Sequence, residues 1–425
     1  MDMDLKGKRL LILGGANVHC KVVEAAKALG VYTIVADNLP DSPAKGIADE
    51  SLPISILDAP ALEDWCRKHP VDGIINYCND PAQKIHQRLC ARLGLPCYGN
   101  ERQVLTLTDK QLFKQACRES GLRVIPEYTE ADIAQGNVRY PILIKPADSR
   151  GSRGQTICRT PQEARESLQL ARQESFTGKA IIEGYLAELP DLQLVYLVAK
   201  GEPALIKVED RYLGSRENDL DRLCIATVCP SRCEQAYREN VHAKVVAMIR
   251  RLGIQNGPVF LQGFWNGTDV LFYDPGIRMP GDGFDYAYTA ATGISIPQLL
   301  VRYALTGVMP EDTAQKIHAA RIQKATAMVL PCLRPGKIGR IDGLEEIRTI
   351  PGILAISQEY GVEDTVTRQG NCKQRFGEFV LCCDSFSQLK QSIADLFSHL
   401  RVTDTDGKDM LIERFDPDFC LQGGK

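Results

Sequence analysis

The 425-residue sequence has no excess of charge of either sign, because 51 Lys and Arg stand against 54 Asp and Glu, for a net charge of −3 at pH 7. This balance argues against a protein that binds nucleic acid through bulk positive charge, and no nucleic-acid partner is expected. The sequence also lacks any run of about 18 apolar residues, so neither a membrane span nor a membrane partner is expected. An acidic small molecule remains a suitable substrate.

Cysteine is too sparse for a disulfide scaffold, since 15 of 425 residues amount to about 3.5%. Their number is odd, and the N-terminus runs into a strand-like segment without a long apolar signal region. We therefore expect a cytoplasmic protein with reduced thiols. Cys224, Cys229 and Cys233 form the one tight cluster, but no zinc-finger spacing follows, which favours ordinary thiols.

The first hundred or so residues alternate between strand and helix patterns. An apolar run at 9–14 ends at Gly14-Gly15, a helical pattern follows, and a second apolar run occupies 31–38. This order is typical of a βαβ unit with a parallel sheet. The full GxGxxG spacing of a dinucleotide site is absent. The Gly14-Gly15 turn is thus interpreted as a tight turn before a packed helix, with a substrate contact as the alternative.

The pattern changes near residue 107. Thr108 is expected to cap a helix that runs to Gly121, and further helices are expected at 233–252 and 310–328. Asn266-Gly267 predicts the turn of a β-hairpin spanning 257–279. We expect three regions: an α/β domain at 1–107, a second domain at 108–310 with a lid at about 122–183, and a small α+β subdomain at 311–425.

One segment combines a lysine with a loop rich in glycine, serine and arginine. In ILIKPADSRGSRGQ, residues 142–155, a strand delivers Lys145 and Pro146 ends it. Glycines let backbone amides approach phosphate oxygens, and the serine and arginine side chains add donors and positive charge. The segment predicts a phosphate-binding loop, with a mobile charged surface turn as the alternative. The loop residues assigned to phosphate are Ser149, Gly151, Ser152 and Gly154.

Three further features carry groups suited to nucleotide chemistry. Lys110 lies at a helix start, where a cation is unfavourable for the helix dipole. The strand IIEGYL, residues 181–186, ends in the carboxylate Glu183 before a change of direction. The hairpin places Gln262 on its first strand and Asp274 on its second, and oxygen ligands on adjacent strands are typical of a Mg²⁺ site facing phosphates.

Taken together and in this order, these motifs resemble the ATP-grasp superfamily. They are TDK at 108–110, ILIKPADSRGSRG at 142–154, IIEGYL at 181–186 and LFYDPGIRMPGDG at 271–283. The resemblance covers nearly the whole chain. It implies an α/β protein with the ATP-grasp fold, an N-terminal Rossmann-like pre-ATP-grasp domain and a small α+β C-terminal subdomain.

The resemblance also implies a function. Mg-ATP, or its Mn²⁺ counterpart, would bind between the lid and a large subdomain, and a substrate carboxylate would attack the γ-phosphate. The resulting acyl phosphate would react with a small-molecule amine or a related nucleophile, releasing ADP and phosphate. The expected activity is therefore that of an ATP-dependent carboxylate-amine ligase, and a homodimer is left open.

Site roles follow from the same resemblance. Lys110, Lys145 and the Ser149–Gly154 loop would hold phosphates, whereas Arg278 would stabilise the transferring phosphoryl group and, with Lys145, serve catalysis. The adenine would contact Glu183 and the backbone of Tyr185 and Leu186, and the ribose would contact Asp191. The metal ligands would be Gln262 and Asp274.

The second hairpin strand departs from the usual Glu-x-Asn-x-Arg pattern of the superfamily. It reads Asp274-Pro275-Gly276-Ile277-Arg278, which shortens one acid and removes an amide ligand at Gly276. Asp282 and Asp285 are candidates to compensate. Two alternatives stay open: bicarbonate activation like that of carbamoyl-phosphate synthase or biotin carboxylase, and a non-catalytic ATP-binding regulator.

Overall fold

A computed structural model describes residues 4–146, 155–175, 177–186, 188–215, 223–367, 370 and 372–420. The chain begins with a four-stranded parallel sheet in the order β3-β2-β1-β4. Its strands are nearly continuous apolar runs because helices cover both faces. They are β1 Arg9–Leu13, β2 Tyr32–Ala36, β3 Glu50–Leu52 and β4 Gly73–Ile75.

Five helices pack around this sheet, and two show clear end signals. Asp58 caps the third helix, and Gly94 ends the fourth in the left-handed conformation at φ 70°. The helices are α1 Asn17–Ala28, α2 Pro43–Ile47, α3 Ala59–Lys68, α4 Gln83–Leu93 and α5 Glu101–Thr106.

The segment predicted as a lid contains a separate small layer, residues 127–184, with its own apolar core, which includes Ile142, Ile144 and Leu168. This layer is called the lid below. Its sheet has the order β6-β9-β7-β8. Its elements are β6 Glu127–Tyr128, α7 Glu130–Gln135, β7 Ile142–Pro146, β8 Thr156–Cys158, α8 Pro161–Gln173 and β9 Ala180–Gly184.

A nine-stranded sheet forms the centre of the molecule, in the order β17-β19-β15-β12-β11-β10-β13-β14-β5. All its neighbouring strands are antiparallel except β14 and β5. The strands before residue 310 are β5 Arg123–Val124, β10 Asp191–Ala199, β11 Glu202–Leu213, β12 Cys224–Cys229, β13 Gly257–Trp265 and β14 Val270–Gly276.

Four helices bury apolar faces against the central sheet: α6 Lys110–Glu119, α10 His242–Leu252, α11 Phe284–Thr292 and α13 Thr313–Ala319. α9 Glu234–Asn240 packs on α10, whereas α12 Ile296–Thr306 packs against α1, β1 and β4 of the first domain. No helix among the residues that the structure describes is both long and apolar enough to cross a membrane.

The last segment adds three strands to the central sheet and a small three-stranded sheet in the order β18-β16-β20. Short 3₁₀ helices lie at Cys372–Gln374 and Pro417–Cys420. The other elements are β15 Ala325–Val329, β16 Gly336–Asp342, α14 Leu344–Arg348, β17 Ile353–Gln358, β18 Thr365–Val366, β19 Gly377–Cys383, α15 Phe386–His399 and β20 Arg401–Asp404.

Several local predictions were wrong. Asp109, not Thr108, caps α6, because its carboxylate accepts from the amides of residues 111 and 112 while Thr108 Oγ1 donates back to Val104 O. The helix expected at 310–328 ends at Ala319, and its last residues belong to β15. The helix expected at 233–252 is two helices that meet at Val241.

Candidate active site

A row of polar side chains crosses four adjacent strands of the central sheet. Glu209 on β11 lies opposite Gln193 on β10, Gln193 lies opposite Gln262 on β13, and Gln262 lies opposite Asp274 on β14. Cross-strand partners share one face of the sheet, so the four side chains line the same surface. Lys207, two residues from Glu209, lies on that face as well.

Hydrogen bonds connect the row. Gln262 Nε2 donates to Gln193 Oε1 at 3.0 Å, and Gln193 Nε2 donates to Glu209 and, at 3.0 Å, to Asp282 Oδ2. Lys207 pairs with Glu209 Oε1 at 2.6 Å. Burial raises the pKa of Glu209 to about 7, although Lys207 opposes this. The row is thus a fixed polar network that holds Gln262 in place.

Asp274 and Gln262 are the residues that fit a magnesium ion. Gln262 uses its amide nitrogen for Gln193, so its carbonyl oxygen is the atom that can act as a ligand. Asp274 adds a carboxylate from the facing strand, whose Oδ1 lies 3.2 Å from Lys110 Nζ. Two protein oxygens suit Mg²⁺, which keeps several waters and binds substrate phosphates directly.

Lys145 lies on β7 and is part of an ion-pair cluster. Its ammonium contacts Glu183 Oε2 on β9, and Lys114 Nζ on α6 contacts Glu183 Oε1 at 2.6 Å. Lys114 also reaches Glu127 at 2.8 Å. Burial acts to raise the pKa of Glu183, but Lys145 and Lys114 outweigh it and lower the pKa. Glu183 is therefore ionised, and its partner Lys145 is held at the lid edge of the site.

Arg278 follows β14 and joins the central sheet to the first domain. Its guanidinium makes a two-point ion pair with Asp80, with Nη2 to Oδ2 at 2.9 Å, and it stacks 4.4 Å above the Phe260 ring. Two backbone contacts reinforce this junction, from the amide of Ile277 to Gln83 Oε1 and from Met279 N to Tyr77 O. The side chain is only 7% exposed, so its direction is fixed.

Lys110 connects these groups electrostatically. Burial acts to lower the pKa of Lys110, but Asp274 and then Glu183 raise it, with a smaller contribution from Asp80. Lys110 thus interacts electrostatically with Asp274 at the proposed metal site, with Glu183 on β9, and with Asp80, the partner of Arg278. Glu183 is in turn the partner of Lys145, and Asp274 lies opposite Gln262. The region that these groups share is called the cleft below.

Other residues predicted for the nucleotide have partners within the protein. Asp191 lies two residues from Gln193 on β10, and its carboxylate accepts from Arg211 and, at 2.9 Å, from Tyr273 Oη. The Tyr185 amide donates to Pro141 O at 3.0 Å. Adenine contacts would therefore use the Tyr185 carbonyl and the Leu186 amide. Ser149, Gly151, Ser152 and Gly154 lie outside the described residues.

Asp282 and Asp285, the candidates to compensate in the metal site, each lie beside a buried lysine in the structure. Asp282 Oδ2 lies 3.4 Å from Lys207 Nζ, and Asp285 Oδ2 lies 2.6 Å from Lys21 Nζ. Burial acts to raise the pKa of Asp282, but Lys207 and Lys21 outweigh it and lower the pKa. The two acids therefore neutralise buried lysines.

The Gly14-Gly15 turn is tight, as the first interpretation expected. Gly14 has φ 117°, and a Cβ there would lie 2.3 Å from Asn79 Nδ2, whereas a Cβ on Gly15 would lie 2.5 Å from Ser42 Cβ. The Gly15 amide donates to Asp37 Oδ2 at 2.9 Å. Both glycines are therefore required by close packing.

A cavity of about 270 Å³ opens where the first domain meets the last segment. Its lining combines the N-terminal part of α1, the segment at 282–286, and strands β17 and β19. Charged groups of both signs face it, including Lys21, Glu24, Asp282 and Glu378. Its mixed charge suits a small polar molecule better than an apolar one.

Sequence reasoning missed Gln193, Lys207, Glu209, Lys114 and Asp80. Gln193 interrupts the apolar run LQLVYLV, and a polar residue inside a buried strand is a usable signal. Lys207 and Glu209 alternate on β11 in the same way. Lys114 and Asp80 gave no such signal, because their partners come from distant parts of the chain.

The sequence was compared with family models and with known proteins. Residues 109–260 match the family model "Carbamoyl-phosphate synthase L chain, ATP binding domain". The chain is 23% identical over 354 residues to a formate-dependent phosphoribosylglycinamide formyltransferase of Chlorobaculum tepidum, with 81% of this chain and 86% of that protein covered.

Solved structures share the fold over almost the full length. An L-amino acid ligase from Bacillus licheniformis matches with a TM-score of 0.77 at 18% identity, covering 94% of this chain and 99% of the other. The biotin carboxylase domain of Hydrogenobacter thermophilus 2-oxoglutarate carboxylase, solved with MgADP and bicarbonate, matches with a TM-score of 0.73 at 18% identity, covering 95% and 96%. With the motifs in order and the fold shared, the chain is similar to ATP-grasp proteins over nearly its full length.

Proposed function

We propose that the protein is an ATP-dependent ligase that activates a small carboxylate as an acyl phosphate and joins it to an amine. The observation that carries this proposal is the meeting of three cations, Lys110, Lys145 and Arg278, with the Gln262–Asp274 pair in one cleft. Phosphoryl transfer needs positioning and charge neutralisation more than covalent chemistry from the protein.

Each cation has a distinct role in this proposal. Lys145 exchanges Glu183 for an ATP phosphate, and Glu183 stays neutralised by Lys114 at 2.6 Å. Lys110 lies beside Asp274 and stabilises charge on the outer phosphates. A Mg²⁺ held by Asp274 and Gln262 would supply further neutralisation of phosphate charge. Arg278, fixed by Asp80, would stabilise charge on the transferring phosphoryl group.

The cavity near α1 is the proposed place for the substrates. Lys21 and Glu24 lie on the first domain, while Asp282 and Glu378 face them from the other side. Groups of both signs suit a molecule that carries a carboxylate and a polar or charged second group. The relatives differ in the substrates that their names state, and all of them are small molecules or ions.

The test is ATP-dependent phosphate release with a panel of amino acids, small acids including formate, and bicarbonate, each with and without an amine. We expect release only with a matching carboxylate and a C–N bonded product by mass spectrometry. With ¹⁸O in the carboxylate, one label should appear in the released phosphate, since an acyl phosphate transfers that oxygen.

The results separate the alternatives. Turnover with bicarbonate alone would favour carbamoyl-phosphate-synthase-like or biotin-carboxylase-like activation. Tight ATP binding without turnover for any substrate, kept in Asp274→Ala, would contradict the ligase proposal and favour a regulator.

A further inference from the structure

A histidine and two cysteines come together in the first domain, away from the cleft. His86 and Cys90 lie one turn apart on α4, and Cys97 follows the helix end at Gly94. The left-handed conformation of Gly94 reverses the chain and brings Cys97 back to the helix. The His86 nitrogen and the two sulfurs all lie within 4.8 Å of one another.

The orientation of His86 suits a metal ligand. Its Nε2 lies 3.0 Å from the Ile74 carbonyl oxygen. Because a carbonyl only accepts, Nε2 carries the proton and Nδ1 presents a lone pair. This lone pair faces Cys97 Sγ at 3.9 Å. Metal-binding histidines typically donate their other N–H to a carbonyl or carboxylate in this way.

The sulfur of Cys97 lies beside both Cys90 and His86. The thiolate is the form of cysteine that binds metal. Cys90 is fully buried and His86 is 4% exposed, whereas Cys97 is partly exposed and gives an approach from the surface.

The separation of Cys97 and His86 is close to that required by a small tetrahedral ion. With Zn–S near 2.3 Å and Zn–N near 2.0–2.1 Å, a tetrahedral sulfur and nitrogen lie about 3.6 Å apart. The observed 3.9 Å between Cys97 Sγ and His86 Nδ1 needs a contraction of a few tenths of an ångström. The 4.8 Å group contains no fourth ligand from the described residues, so water would complete the tetrahedron on the partly exposed side.

We propose that His86, Cys90 and Cys97 form a binding site for a soft divalent cation, best matched by Zn²⁺. Two thiolates and one imidazole select zinc over Mg²⁺, which prefers oxygen ligands. The site ties the end of α4 and its following loop to β4 through Ile74. It is independent of the nucleotide cleft and of the reaction proposed above.

The test uses the full-length protein, purified without a histidine tag, reduced and freed of metal under anaerobic conditions. It is titrated with Co²⁺ and then with Zn²⁺ against a chromophoric chelator. We expect one ion per chain, thiolate-to-cobalt charge-transfer bands, and d–d bands of tetrahedral intensity that vanish on addition of Zn²⁺. Zinc should also raise the thermal unfolding temperature.

Variants locate the site. Cys90→Ser and Cys97→Ser should each abolish stoichiometric binding, whereas Cys383→Ser should keep it. Cys383 is a matched control, since it is a buried thiol in the last segment, 3.9 Å from Ser392 Oγ. His86→Gln provides a further variant should a cysteine variant fail to fold.

Three outcomes would overturn the proposal. The first is a reduced wild-type protein that binds less than one ion in five chains. The second is binding that survives in both Cys90→Ser and Cys97→Ser. The third is a protein that binds no metal when reduced and contains a Cys90–Cys97 disulfide when oxidised.

Discussion

At Lys145, nucleotide binding would exchange one ion pair for another. A charge-assisted hydrogen bond contributes about 1.5–3 kcal/mol, so Lys145→Ala should weaken ATP binding about 10- to 100-fold. Isothermal titration with a non-hydrolysable ATP analogue measures this. The control is Lys179→Ala, which removes an exposed lysine just before β9, the lid strand that carries Glu183. Equal affinity in Lys145→Ala and wild type would remove Lys145 from the phosphate site.

Arg278 should affect turnover more than ATP affinity. Its guanidinium is fixed by Asp80 and Phe260, so Arg278→Ala should lower kcat at least about 100-fold with a small change in ATP affinity. Asp80→Asn should give a smaller loss of kcat, because it loosens the guanidinium without removing it. Arg123→Ala, at an exposed site, should behave as wild type. Equal losses in kcat and ATP affinity for Arg278→Ala would assign it to ground-state binding.

Gly276 can be replaced by asparagine, the residue usual in the superfamily. Its φ lies outside the left-handed region, and a Cβ there would lie 3.1 Å from Arg278 Cγ. We expect Gly276→Asn to fold with an unfolding temperature close to that of wild type. Gly257→Asn is the contrasting variant, since Gly257 has φ 122° and a Cβ would lie 2.8 Å from Tyr98 Cβ. Unfolding of Gly276→Asn, measured by circular dichroism, would show that the glycine is structural.

Among the elements, β19 carries the acid whose titration should affect stability. Burial raises the pKa of Glu378, which lines the cavity near α1, from 4.5 to about 7, with Asp282 adding to the effect. Its Oε1 accepts from the Gly283 amide at 2.7 Å. Between these values the folded protein binds more protons than the unfolded chain. The free energy of unfolding should therefore fall as the pH rises through this window.

Glu378→Gln should remove that part of the pH dependence. Urea unfolding midpoints of wild type and variant, compared across the window from 4.5 to about 7, should converge at the acidic end and separate as the pH rises, with the variant more stable. Parallel curves for the two proteins would contradict the raised pKa.

The sequence predicted regular elements well and their ends poorly. The strand-helix-strand pattern predicted at 9–38 is present as β1, α1 and β2. The Asn266-Gly267 signal predicted the hairpin, but Asn266 N bonds to Asp269 O at 3.1 Å, so four residues form the loop. β12 was not predicted, because CIATVC was considered only as a cysteine cluster. β15 was assigned to a helix, since its short apolar run fits either structure.

The predictions for the site were similarly uneven. The oxygen pair Gln262 and Asp274 came from strand periodicity and is directly opposed in the sheet. The partners that hold the site groups, such as Lys114 and Asp80, come from helices and loops far away in sequence. Local patterns contain no information on such contacts, which depend on how the layers pack.

At the scale of the whole molecule, residue 310 is not a place where the chain can be cut. β15 pairs with β12 across this position, and β17 and β19 extend the same nine-stranded sheet. A chain of residues 1–310 would expose the edge of the buried strand β12, and we expect it to aggregate. Solubility and a thermal unfolding transition measure this. A soluble 1–310 fragment with a cooperative transition would show that the last segment is an independent unit.

The two sides of the cleft are built with different rigidity. On one side, the central sheet is bonded to the first domain through the Arg278–Asp80 ion pair and through a hydrogen bond from Met279 N to Tyr77 O at 2.8 Å. On the other side, the lid has an apolar core of its own. Rotation of the lid as a rigid body would keep this core intact but would break the ion pairs of Lys114 on α6 with Glu127 and Glu183. The conformational entropy lost on nucleotide capture would fall on the lid, and lid opening would set the rate at which ADP escapes.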